Sequence, residues 1–573
     1  MLGMFIRVKK VLPSPSTVVQ IIEAYRKDGA PKQRILRHIG TGKTEDEIRK
    51  LKEIAAAVKV QLIQQSLAKN KNNASGSYAK DIGRLRAVKK GTLADLTQIE
   101  ELERNILGIH DVYGYIYDLL EFTNPFHNPA RREYAAKILR EIVLCRIAYP
   151  SSKRGTVAKL KDVFGISLNL DHVYQMMDKI DEDFCSRIQK RALAATLQLT
   201  GEKLKVLFYD ATTLYFESFT EDELKQNGYS KDMKFNQPQV LLALFVTTDG
   251  LPVGYEVFPG ATYEGHTLKP VLEKLRKCYQ IEEMIFVADR GMLSDDNLSY
   301  LETNNIPYIV GAKLKALSKA RQKEILEWGT KVKKSEQEKV RNNNQKPISE
   351  IGDIEDTAYT NCIEINTEKR IILSYQKKRA EKDRHDREKA ILKLQKKLAK
   401  SSNPKNAISN YGYQKYLLID GKAILRVNEE KLKKEAEWDG ISGVYTNQMK
   451  LSDTEILGHY RSLWQIEESF RISKHDLSIR PIYHWTPHRV RAHIAISFIA
   501  FTCVRHLEYR VKTQYKKLSP ETIRQELLKV QAEIIKDNAT GKRYLLPTKM
   551  TQEAKHLYRI VGIRPSDQIQ AIL

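Results

Sequence analysis

A multidomain α/β chain with a mixed sheet is predicted by three observations. The 573 residues exceed what one hydrophobic core organises. Apolar residues recur with period two in some stretches and with the helical period in others. Two near-continuous apolar runs, VLFYD and MIFVAD, read as buried strands set among helices.

Residues 4–40 alternate in the runs FIRVKKV, VVQIIEAYR and QRILRHIG, with Lys27, Asp28 and Gly29 as a turn, which predicts a small antiparallel sheet. From Thr44, a plausible N-cap, the period is helical, so residues 1–70 form a sheet-plus-helix unit. Residues 71–92 are polar and basic and read as a linker. Residues 93–200 show helical periodicity and few strand signals, which predicts an all-helical module. From Lys203 strands and helices alternate: Val206 to Asp210, Val240 to Thr247 and Pro252 to Phe258 joined at Thr248-Asp249-Gly250, a helix from His266 to Tyr279, then Met284 to Asp289 and Ile306 to Val310. These are assigned to the first part of a core, residues 201–311. About a hundred irregular, charged residues follow, too many for a structureless loop, so residues 312–412 are expected to be an insertion with its own structure. Inside it Ile363 to Tyr375 looks extended. Lys377 to Lys400 looks helical, with eleven basic residues against four acids, which suits a solvated face and a DNA-facing one equally. The core resumes over residues 413–512, with a strand at Tyr416 to Asp420 and long helices at Asp453 to Lys474 and Arg489 to Val511. Residues 513–573 form a basic C-terminal region.

The formal charge is +25, from 96 Lys and Arg against 71 Asp and Glu, and a polyanionic partner is the simplest reason for it. Nucleic acid fits better than membrane, because the most apolar run, Ala495 to Val504, falls short of the roughly 18–20 residues that span a bilayer. Residues 1–70 and 93–200 are the expected DNA-reading parts, the second also a candidate for dimerisation. Five cysteines (Cys145, Cys185, Cys278, Cys362, Cys503), with no CxxC, argue against disulfide frameworks and zinc ribbons. The N-terminal residues show no secretory pattern, so a cytoplasmic protein, nucleoid-associated when DNA-bound, is expected.

Two buried strands ending in Asp210 and Asp289 are the first chemical signal. Either aspartate alone reads equally as a cap before a turn. At one sheet edge, however, the pair would repel unless a cation lay between them, and carboxylate oxygens select Mg²⁺ or Mn²⁺ over zinc. The third element is HYRSLWQIEESFRISKHDL, where Tyr460, Glu467 and Lys474 lie seven apart and so share one face of a single helix, with Trp464 and Arg471 beside them. Such a face differs from an ordinary apolar core stripe.

These motifs resemble insertion-sequence transposases of the DDE type, whose third motif reads Y-x2-R-x3-E-x6-K. Tyr460, Glu467 and Lys474 match in register, and Asp289-Arg290-Gly291 matches the DRG after the second aspartate. Leu463 stands where the motif has arginine, leaving Arg461 or Arg471 to take over a phosphate contact. The likeness spans about residues 200–500 and extends to the RPIYHW segment, Arg480 to Trp485, and the small N-terminal β-region. It implies an RNase H-like core, interrupted between the second aspartate and the glutamate. It also implies two Mg²⁺ ions (or Mn²⁺) about 3.5–4 Å apart on Asp210, Asp289 and Glu467, cutting terminal inverted repeats and joining them to target DNA. Arg290, Tyr460 and Lys474 would grip phosphates. Trp328 or Trp464 would stack a flipped base, unless packed in a core, and a homodimer would hold two DNA ends. The alternatives are a nuclease or resolvase of that fold without strand transfer, and a DNA-binding descendant without catalysis. A zinc hydrolase using His484, His488 and His493 is disfavoured, since Pro487 interrupts the helix and no Glu follows His484.

Overall fold

The computed structural model describes residues 4–10, 16–27, 30–59, 85–88, 96–122, 133–201, 205–217, 220–228, 237–279, 284–343, 359–400, 416–420 and 424–572, apart from isolated positions. They fall into two units, Met1–Glu282 with Trp464–Leu573, and Glu283–Leu463.

The first unit opens with the expected sheet: β1 (Met4–Lys10), β2 (Thr17–Lys27) and β3 (Ala30–Gly42) pair antiparallel in that order. Asp28 and Gly29 of the expected turn lie outside the described residues. The Thr44 hydroxyl caps the following helix by accepting from the Glu47 amide at 3.2 Å. Most of residues 71–92 also lie outside the described residues, but Leu85–Ala87 is a strand, β4, rather than linker. The module 93–200 departs from expectation as well. It begins with a strand, β5 (Ile99–Ile106, IEELERNI), whose charges mask any alternation, and only then becomes helical. Its longer helices are α1 (Glu133–Ala148), α2 (Lys153–Phe164), α3 (Leu170–Met177) and α4 (Glu182–Thr200).

Three antiparallel strands follow: β6 (Val206–Tyr215), β7 (Gln239–Val246) and β8 (Pro252–Pro259), then α5 (Leu268–Tyr279). The β7–β8 turn contains the expected Gly250. β7 is buried along its whole length, so its seven apolar residues, Val240 to Val246, need no alternation. α4 packs on β8, and the Gln189 side chain accepts from the Tyr255 amide at 3.1 Å.

The second unit is built on a five-stranded run of mixed direction. β9 (Ile285–Ala288), α6 (Asp295–Thr303) and β10 (Tyr308–Gly311) form a parallel β–α–β unit. Then come α7 (Lys319–Asn343), the antiparallel hairpin β11 (Tyr359–Asn366) and β12 (Lys369–Tyr375), and α8 (Lys377–Lys400). The expected strand at Tyr416 to Asp420 is β13 (Leu417–Asp420), but among the described residues its partner is β14 (Ile424–Val427), in a hairpin. After α9 (Glu429–Ala436) the strand that continues the sheet is β15 (Ile441–Thr446, ISGVYT), which the sequence reading did not single out. β15 pairs antiparallel with β10 on one side and β12 on the other, giving the order β11-β12-β15-β10-β9. Residues 312–412, expected to carry a structure of their own, thus supply two strands of this sheet. The unit closes with α10 (Asp453–Arg461), started by a capping box between Ser452 and Glu455.

The chain then returns to the first unit. α11 (Trp464–Arg471) packs on β6 and β7 through Ile466, Ser469 and Phe470. The long α12 (Pro487–Gln514), capped by Thr486, is apolar and long enough to cross a membrane by composition, unlike the short run expected. Yet 94% of that apolar window is buried within the protein, so it serves as a core helix. α13 (Pro520–Leu528), β16 (Gln531–Asp537), β17 (Arg543–Pro547), α14 (Gln552–Val561) and β18 (Gln570–Ile572) complete the chain. The C-terminal strands join β4 and β5 in a five-stranded antiparallel sheet of order β4-β18-β17-β16-β5. The result is a multidomain α/β protein with a mixed sheet, many helices and a small N-terminal β-region.

Candidate active site

Asp210 lies in the middle of β6 rather than at its tip. The strand runs on through ATTLY to Tyr215, because these residues are buried and pair with β7 along their length, Asp210 opposite Leu244. Its neighbours on β6 are buried while Asp210 itself is half-exposed, and its Oδ1 accepts from the Ala211 amide at 2.8 Å. Glu467 sits exposed in the first turn of α11, one position from buried Ile466. Because α11 packs on β6, these two carboxylates ride on touching elements of one unit.

Asp289 belongs to the other unit and does stand at a strand end: β9 stops at Ala288, and Arg290–Met292 make a tight turn. The Tyr460 hydroxyl donates to Asp289 Oδ1 at 3.2 Å. Burial, reinforced by the Asp289 charge and opposed by Arg290 and Arg379, pushes the Tyr460 phenol well above its ordinary range, so it stays a donor. Gly311 at the end of β10 makes the contact possible. A Cβ there would collide with the Tyr460 hydroxyl and stand 2.9 Å from the Arg290 amide nitrogen. Asp289, Arg290 and Tyr460 line a cleft of about 1120 Å³ whose far wall is α8.

The single helix expected to align Tyr460, Glu467 and Lys474 is not formed. α10 ends at Arg461, Ser462 and Leu463 form a turn, α11 starts at Trp464, and Lys474 lies in a wider π-turn, Ile472–Asp476. The seven-residue spacing therefore does not put the three on one continuous face, and the division between the two units falls at this break. Leu463 is 9% exposed, an apolar side chain turned inward. Arg461 is exposed at the end of α10, whereas Arg471 lies between Glu468 at 3.7 Å and Asp476 at 3.5 Å. Trp464 is 46% exposed with the Lys517 ammonium over its ring, while Trp328 packs against the core formed by α7, β11, β12 and β15.

The histidine cluster has no zinc character. His493 Nε2 bonds the Ile479 carbonyl at 3.0 Å and His488 Nε2 the Asp178 carbonyl at 3.2 Å. Burial and the charges of Lys153, Arg146 and Arg489 drive His484 down to about 3, surroundings that repel a cation. Among the described residues no three His, Cys, Asp or Glu side chains gather as the ligands of one ion. Asp210, Asp289 and Glu467 are all carboxylates, the donor type that suits hard divalent cations. Arg379 on α8 and Gly311 were missed from sequence. A glycine closing a buried strand was the one available sign of the second.

Residues 201–503, more than half of the chain, match the transposase DDE domain, and the chain belongs to that family. Residues 7–66 match the N-terminal domain of IS1634 family transposases, so this is a transposase of the insertion-sequence DDE type. No curated protein matches. Among solved structures, one of a piggyBac transposase synaptic complex with hairpin DNA aligns over 73% of this chain and 76% of that one, at 8% identity and a TM-score of 0.36. DDE transposases as a family cut and join DNA and generally use divalent metal ions.

Proposed function

We propose that this transposase cleaves the terminal inverted repeats of its insertion sequence and joins them to target DNA, cut-and-paste, on an RNase H-like core. Asp210, Asp289 and Glu467 would hold Mg²⁺, with Mn²⁺ able to replace it. When bound, the ions would supply charge neutralisation to both the attacking and the leaving oxygen of an in-line displacement. The observation that carries this reading is Asp289 at the end of a buried strand, held by the Tyr460 hydroxyl at 3.2 Å, beside Arg290 in an open cleft.

The protein's own groups do the rest. Tyr460 fixes one Asp289 oxygen and leaves the other for metal. Arg290 and Lys474 hold backbone phosphates and so set position rather than sequence. The net charge of +25 favours DNA association at low salt. Sequence reading belongs to the N-terminal 200 residues, and a homodimer would hold two ends together in the cytoplasm, on the nucleoid.

The test is incubation of supercoiled DNA carrying the element's own ends with Mg²⁺ or with Ca²⁺. Cleavage and joined products in Mg²⁺, none in Ca²⁺, and loss of both with Glu467→Gln are expected. Cleavage without joining would mean a nuclease of this fold; undiminished cleavage by Glu467→Gln and by Asp289→Asn would refute the assignment.

A further inference from the structure

Most cations around the cleft of the second unit are already committed. Lys315 pairs with Glu435 at 2.7 Å, and Arg387 pairs with Asp439 through both its terminal nitrogens, at 2.5 and 2.7 Å. Arg379, in the first turn of α8, is different. Its ion pair, with Asp383 one turn along its own helix, is long at 3.9 Å, and that carboxylate already accepts from the Gly440 amide at 3.0 Å. Its side chain is 49% exposed. Arg290 lines the same cleft from the turn after Asp289, and among the described residues no carboxylate pairs with it. The charges of both guanidiniums reach the Tyr460 hydroxyl, which holds Asp289. Asp383 and Asp386 on α8 also line the cleft, so its lining is not a continuous positive track.

We infer that Arg290 and Arg379 form a phosphodiester subsite beside the Tyr460–Asp289 hydrogen bond, and that it grips the DNA phosphate next to the one cut at Asp289. A guanidinium presents two parallel donors to two phosphate oxygens, which a lysine does not. Arg379 reaches the site from the charged helix and supplies the guanidinium that inward-turned Leu463 does not offer. The inference rests on the strand-cutting role of Asp289 proposed above. It makes Arg379 a positioning residue.

The full-length protein is titrated against supercoiled DNA carrying the element's own ends, in Ca²⁺ for binding and in Mg²⁺ for cleavage, over a range of salt. Arg379→Ala is expected to weaken binding several-fold and to flatten the slope of log K against log salt by about 0.9, one phosphate contact. KM should rise more than kcat falls. Arg379→Lys should keep the slope yet bind less tightly, which guards against a folding defect in the alanine variant. Arg384→Ala removes the same charge from a side chain of α8 that is 66% exposed and outside the cleft, and should behave as wild type. Unchanged affinity and slope in Arg379→Ala, with wild-type cleavage intact, would overturn the subsite alone; equal losses from Arg379→Ala and Arg384→Ala would reduce it to general helix charge. A wild-type protein that neither binds nor cuts this DNA would overturn the function itself.

Discussion

Tyr460 and Gly311 show how one hydrogen bond is built. The phenol reaches Asp289 only because Gly311, on the neighbouring strand β10, has no side chain. Gly311→Ala should therefore displace the Tyr460 hydroxyl and slow cleavage roughly tenfold or more, about 1.4 kcal/mol in the barrier. Gly458→Ala is the matched comparison, since a Cβ at that exposed helical position meets nothing within 4 Å and should leave the rate alone while adding about 0.5–1 kcal/mol of stability. Cleavage assays and thermal melts of both variants decide it, and a fully active Gly311→Ala protein would show that the Tyr460 bond does not matter.

α8 is held in register by a short turn rather than by a broad apolar face. Of its twenty-four residues Leu394 is the one fully buried hydrophobe among those described. The lock is the Trp438–Gly440 turn: Asp439 takes both arms of Arg387, and Gly440, at a φ of +80°, gives its amide to Asp383. A Cβ at Gly440 would stand 2.8 Å from that of Ala380, so the turn and the helix close on each other. Arg387→Ala would leave the Asp439 carboxylate, 14% exposed, without its partner. A loss of about 1–3 kcal/mol is expected in chemical denaturation, against no measurable change for Lys137→Ala, whose pair with Glu133 is fully solvated at 72% and 74% exposure. If the two variants melted alike, the lock would not be what holds α8.

The C-terminal region binds the chain to its beginning. β16 pairs with β5, and Tyr558 on α14 donates to Asp111 Oδ2 at 2.7 Å across 447 residues. Burial raises the Asp111 carboxyl above its ordinary value, with the Tyr558 hydrogen bond and the charges of His110 and Arg140 pulling the other way. An acid whose folded pKa is raised favours folding while protonated in both states, and that advantage is lost as pH rises through the folded value. Asp111→Asn keeps the acceptor and removes the buried charge. It should therefore raise the melting temperature at pH 8, with the gap from wild type narrowing as pH falls toward 4. A gap that widens on acidification would contradict this account of Asp111.

Much of the architecture is local enough to be legible in residues. Thr44 and its helix, the β1–β3 sheet, the β7–β8 hairpin around Gly250, α8 and α12 all follow from period, capping and turn chemistry. The candidate acids and the Tyr460, Lys474 and Arg290 pattern were visible as motifs for the same reason: they are read along the chain. Long-range pairing was not. IEELERNI is a strand only because β16 lies beside it, ISGVYT only because β10 and β12 flank it, and β6 continues past Asp210 because β7 pairs it to Tyr215. Nor does a seven-residue spacing reveal that the helix breaks at Ser462, or that a distant helix brings Arg379 to the cleft of Asp289. Propensity and periodicity act over a few residues, whereas strand partners, helix breaks and side-chain neighbours depend on burial against segments far away in sequence.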